Sequence, residues 1–306
     1  MPIEPMYENL PVLGRMTCSD AAAKLRELGE NETADLLARG GTRAADTFSY
    51  LDFGIGRERG YQHTAHAFGH IPLQSGSGAV DIHGVGEVSA DSALVGSRVR
   101  ITLDGLRAAD YPGSGSHRVL FDFYAQNQVK NQVEHLHFNS TLRVREGESA
   151  AIVGYPVFIG LNVPPDGIAL KCLTVNVKND DDERLLAALE SDVFKHGLKL
   201  ATSFQPAIAP LTGLATALTK SLASRHRNVP VQDFYLGLDF TAVATRARLC
   251  EGSYIAVQIP EKLALLWDWA DWVYQPSSGR IVNRQQPEKL IPYNYVAIGV
   301  SRYEGK

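Results

Sequence analysis

Cysteine is scarce in this sequence. Cys18, Cys172 and Cys250 stand far apart, an odd set without a CxxC pair. That spacing fits neither a disulfide framework nor a cysteine-based zinc site, and a reducing, cytoplasmic setting is the expectation. No charge of one sign dominates: 30 Lys and Arg against 34 Asp and Glu leave a net charge of −4 at pH 7. Without a basic surplus, no nucleic-acid partner is expected. No run of roughly 18 strongly apolar residues occurs, which excludes an ordinary membrane-spanning helix. The opening MPIEPMYENL lacks a basic start followed by an apolar core, so no secretory signal is expected there. Missing as well are a phosphate-binding GxxxxGK[ST], a zinc-protease HExxH, a nucleophile elbow, internal repeats and low-complexity segments.

What remains is ordinary globular chemistry. The chain has 306 residues, 44% apolar and 21% charged, long enough for about two domains at ~150 residues each, or for one large β-rich domain with additions. Residues 17–41 predict a small helical hairpin, with Ser19 and Asn31 as N-caps and glycines as terminators. Residues 46–97 are rich in glycine, histidine and aromatics with poor periodicity. They read as irregular structure with short strands, for example from Val80 to Val88.

From Arg98 to Lys178 the pattern is β. Leu136, Phe138, Leu142 and Val144 fall on one face of a strand; His135, His137, Asn139, Thr141 and Arg143 fall on the other. Cys172 lies in an apolar strand-like run and reads as a small buried hydrophobe. Residues 150–163 are apolar on both faces, with Pro156 marking an edge, bulge or break. Residues 181–227 switch to a helical period, divided by Pro206 and Pro210 into a pair of helices. The β pattern returns from Val231, through Ile255, Val257 and Ile259, to about Tyr303. The expected fold is mainly β, an antiparallel β-sandwich over residues 98–306. A helical pair is inserted at about 181–227, and residues 1–97 form a helical and irregular accessory region.

Four constellations carry chemistry. His63, His66 and His70 form HxxHxxxH with His83 nearby; on a helix the first three rings share a face and suit a transition metal, the basis of a metal-dependent hydrolase reading. Alternatively they are structural or surface histidines, because Gly69 and Pro72 weaken the helix that this geometry needs. Asp180, Asp181 and Asp182, with Asp104 and Asp110 from another loop, offer oxygen ligands to calcium, or simply cap a helix start. The uncharged span 200–219 carries a stripe of Phe204, Ile208, Leu211, Leu214 and Leu218. That stripe packs on the sandwich or inserts reversibly into a membrane, as in pore-forming effectors. All three tryptophans, Trp267, Trp269 and Trp272, fall within six residues. On a strand, Trp267 and Trp269 would share a face; a turn would scatter them. Such a cluster caps a core or grips a partner, a membrane interface or a sugar ring.

The run from Val99 through Asp104 to Asp110, followed by Arg118-Val-Leu-Phe-Asp-Phe-Tyr124, resembles the opening of membrane-binding β-sandwich domains of the protein kinase C conserved-region-two type. The resemblance spans residues 98–180 and 231–303. It implies acidic loops at one end that bind calcium and acidic lipid, although the acids here are contiguous rather than paired as Asp-x-Asp. The functional expectation is a non-enzymatic intracellular binding or effector protein that engages a protein partner, a membrane surface peripherally, or both. Calcium is the candidate cofactor, and the hydrolase and pore-forming readings are alternatives.

Overall fold

The computed structural model describes residues 59–73, 78–129, 132–150, 152, 154–178, 228–243 and 246–304. The expected helical hairpin, the helical pair, Asp180, Asp181, Asp182 and the stripe from Phe204 to Leu218 lie outside the described residues.

The described residues form β1 (Ala65–Pro72), β2 (Val80–Asp81), β3 (His83–Gly84), β4 (Arg98–Arg107), β5 (Ser116–Val129), β6 (Gln132–Arg145), β7 (Ser149–Ala150) and β8 (Tyr155–Asn162). They continue with β9 (Ile168–Asn176), β10 (Val229–Asp239), β11 (Ala247–Arg248), β12 (Gly252–Ile259), β13 (Trp272–Gln275), β14 (Arg280–Asn283) and β15 (Tyr295–Arg302). The fold is mainly β, and all pairings but one are antiparallel; β10 and β11 run parallel. The first sheet has the order β3-β1-β12-β15-β4-β7, with β8 also on β4. The second is β11-β10-β9-β5-β6, and the third is β14-β13-β2.

Alternation explains how the sheets share their apolar side chains. Along β12, Tyr254 and Ala256 enter one buried cluster, while Ile255, Val257 and Ile259 enter another. The first cluster joins Val99, Ile101 and Leu103 of β4 to Phe121 and Phe123 of β5, Leu136 and Phe138 of β6, Cys172 of β9 and Phe234 of β10. It therefore draws on the first two sheets. The second joins β12 and Ala67 of β1 to Val80, Ile281 and Trp269 on the side of the third sheet. The first sheet is thus apolar on both faces, and burying both sides makes β12 a continuous hydrophobic run.

The expected face of Leu136, Phe138 and Val144 is buried as its period-two pattern requires. Pro156 sits beside a bulge: Ile101 pairs with Phe158 but Thr102 with Pro156, skipping one residue. That skip suits a residue with no N–H to give to the ladder. The turn from β8 into β9 closes when Gly167 N–H donates to Pro164 O at 2.9 Å. Gly167 has φ +83, and a Cβ there would lie 1.9 Å from Leu238 O, so only glycine fits. The compact unit begins at Arg59. β1 to β3, from the stretch 1–97 that reads as a helical and irregular accessory region, are built into its sheets. Their partner strands, β12 and β13, lie far along the chain and leave no local periodic signal.

Buried amides pin the loops. Gln258 Nε2 donates to His63 O at 2.7 Å and Val231 O at 2.6 Å, and its Oε1 accepts from Asn294 Nδ2 at 3.0 Å. Asn294 Oδ1 in turn accepts from Ala109 and Asp110 N–H at 2.8 and 3.0 Å. Amides buried and fully paired in this way hold a single arrangement.

Candidate functional site

The tryptophans converge although only Trp269 lies in a turn and Trp272 opens β13. Trp269–Asp271 is one 3-10 turn, and Asp268 Oδ1 caps it by accepting from Ala270 N–H at 2.8 Å. Trp269 is 8% exposed, and its Nε1–H donates to Phe68 O at 3.0 Å. It fills a slot over Gly69, where a Cβ would come within 2.7 Å of the indole. Trp267 packs edge-on to Trp269 at 5.5 Å and stacks parallel on Trp272 at 5.8 Å, with Tyr293 6.0 Å away. The tryptophans therefore divide the roles expected of them: Trp269 caps the second cluster, while Trp267 and Trp272 remain half-buried.

The turns before Trp267 carry the most exposed large apolar side chains among the described residues. Leu265 is 97% exposed and Leu266 is 75% exposed. Exposed Glu261, Lys262, Asp268 and Asp271 flank them. Two adjacent large apolar side chains are thus held out in water directly before Trp267 of the aromatic cluster.

The histidines do not form a shared site. β1 is a strand paired residue by residue with β12, so His66, Phe68 and His70 lie on one face of an extended chain. Four residues of strand put His66 and His70 about 13 Å apart along it, where one helical turn would have brought them together. His66 packs against Phe234 at 5.2 Å and Phe68 at 6.0 Å, and its burial lowers its pKa to about 4. His63 is buried with its ring edge toward Tyr293. His83 is exposed and pairs with His70 across the strands. No group of three or more His, Cys, Asp or Glu among the described residues is placed to hold a metal ion. His63, His66, His70 and His83, which would face one transition metal if the segment were helical, are instead set along and across extended chain.

Asp104 and Asp110 are likewise occupied separately. Asp104 accepts from Thr102 Oγ1 at 2.7 Å and Ser253 Oγ at 2.5 Å. Asp110 Oδ2 accepts from Gly60 N–H at 2.5 Å. Each carboxylate ties down its own loop or strand, and the described residues hold no calcium cradle built on them.

One pairing had no sequence signal at all. Cys250 Sγ lies 3.3 Å from His70 Nε2 and 3.4 Å from Tyr254 Oη. His70 Nε2 also reaches Glu251 O at 3.2 Å. Gly252 makes the approach possible, since a Cβ there would lie 2.4 Å from His70 Nε2. Burial raises the Cys250 thiol above its ordinary value and lowers His70 to about 4. Both shifts favour the neutral forms, so the resting pair is thiol and imidazole. A cysteine nucleophile needs the opposite shift, toward thiolate. The pair is a packed polar contact rather than an activated dyad.

No helix among the described residues is long and apolar enough to cross a membrane. No known protein family, curated protein or solved structure matches the chain, so the functional reading rests on the surfaces themselves.

Proposed function

We propose that this chain is a binding protein built on a β-sandwich, and that Leu265, Leu266, Trp267 and Trp272 form its contact surface for a protein partner. The observation that carries this reading is the exposure of Leu265 and Leu266 beside the stacked indoles. The two leucines gain on burial by about 1.5–3 kcal/mol each, enough to anchor an interface. Glu261, Asp268 and Asp271 outnumber Lys262 around them, which favours a partner whose apolar socket is rimmed by lysine or arginine and works against an anionic lipid surface. The sheet pairing and the cluster shared by the first two sheets support the sandwich reading.

The test places a photo-crosslinking residue at position 265 in the host cell, with position 243 as an exposed control. The partner that is captured is then purified and titrated against the parent and the Leu265→Asp/Leu266→Asp variant. The expected result is a partner specific to position 265 whose affinity falls at least tenfold in the variant and weakens with added salt. Unchanged affinity, or flotation of the parent with neutral or anionic liposomes through this loop, would overturn the reading.

A further inference from the structure

A second surface differs in kind from the tryptophan loop. A cleft of about 650 Å³ opens at the end of the second sheet, with Phe68, Tyr235, Gly237, Asp166, Asp239 and Arg246 in its lining. Its volume is that of a small-ligand site. Tyr235 and Gly237 alternate on the strand face opposite Phe234, Leu236 and Leu238, which are buried. Tyr235 is 66% exposed, and Lys171 Nζ braces its ring from 4.7 Å while pairing with Asp233 at 3.4 Å. The strand beyond it is open, because a Cβ on Gly237 would meet nothing within 4 Å. An aromatic ring held in place beside a bare stretch of backbone is a platform for a flat ligand.

The charges narrow the ligand class. Arg246 is the only cation among the described lining residues, and its Nη1 is bonded to Asp239 Oδ2 at 3.1 Å. Asp166 then leaves the lining with a net negative charge, which disfavours phosphates and carboxylates. A wholly apolar ligand would strip water from Asp166, Asp239 and Gln126 without replacing it. A saccharide meets both demands: its C–H face stacks on tyrosine, and its hydroxyls donate to carboxylates and to the amide oxygen. We propose that this cleft is a binding site for a neutral oligosaccharide of hexopyranose units, one ring of which stacks on Tyr235 over Gly237.

The test screens the full chain on a printed array of neutral glycans, then measures the best binder by saturation-transfer NMR and calorimetry. The ring C–H protons of one sugar are expected to receive the strongest saturation. Tyr235→Ala should weaken binding at least tenfold and Gly237→Val should abolish it, while Tyr235→Phe stays within threefold of the parent. Gly237 lies on an exposed strand in an ordinary conformation, and an unchanged thermal midpoint checks that each variant is folded. Three results would overturn the proposal: no binding to any neutral glycan, binding that survives Gly237→Val, or binding of polyamines such as spermidine in place of sugars. The Leu265→Asp/Leu266→Asp variant should bind the glycan as the parent does, which keeps this site distinct from the partner surface.

Discussion

The tryptophan loop and the Tyr235 cleft are both aromatic, yet they solve opposite problems. The loop is tipped by two bare leucines and anchored by one buried indole, Trp269. The cleft is recessed, and its ring is flanked by groups already engaged in pairs: Lys171 with Asp233, and Arg246 with Asp239. An exposed aliphatic tip gains by being covered, which suits a macromolecule. Prepaired charges around a ring gain little from another ion, which suits a neutral polar ligand. The neighbours of each aromatic side chain, more than the ring itself, thus set the two proposed ligands apart.

Acid should have the largest effect, acting through β1. Phe68, which lines the cleft, lies between His66 and His70 on β1. Burial holds both imidazoles near a pKa of about 4 when folded, against about 6.5 in the unfolded chain. The folded state therefore binds fewer protons between those values. This stability is complete above about pH 6.5 and is lost as pH falls toward 4, by as much as ~3 kcal/mol per imidazole. Thermal midpoints measured from pH 7 to pH 4 should fall steeply, and a His66→Phe variant should flatten the curve. A midpoint independent of pH in that window would remove the histidines from the cleft's support.

Removing the loop's anchor comes next. Trp269→Ala should destabilise the fold by ~3–5 kcal/mol, because it empties the slot over Gly69 and removes the indole N–H that donates to Phe68 O. Denaturant melts check this. The cleft should keep its ligand at temperatures where the variant is still folded.

A smaller effect is expected from Gly167→Ala. It forces a positive φ on alanine and drives a Cβ into Leu238 O, at a cost of ~1–3 kcal/mol. Hydrogen exchange should localise the loosening to the mouth of the cleft, at Asp166 and β10, and spare the tryptophan loop.

The smallest change in stability is expected from Leu265→Asp/Leu266→Asp. Both side chains are exposed, so the melting free energy should stay within ~0.5 kcal/mol of the parent. A large loss would mean that the leucines support the fold rather than wait for a partner.

Much of the β architecture could be read from the sequence, because a strand's faces are set by its own letters. The alternation from Leu136 to Val144 and the apolar setting of Cys172 are cases of this. Pairing between distant segments leaves no such mark. β1 against β12, and Cys250 against His70 at a separation of 180 residues, depend on how the whole chain closes. The histidine spacing depends on the same closure. HxxHxxxH is a metal face only on a helix, and β1 became a strand that pairs along its length with β12. Gly69 and Pro72 already argued against the helix. The tryptophans were read as a cluster, but their division of labour depends on Gly69, a residue on another strand, leaving room for one indole only.

On the function proposed above, Leu265 and Leu266 are held ready for a protein partner. The most direct measurement is the affinity of the parent and of the Leu265→Asp/Leu266→Asp variant for the purified partner captured at position 265. At least a tenfold loss is expected, with the melting curve unchanged. Equal affinities for the two proteins would contradict it.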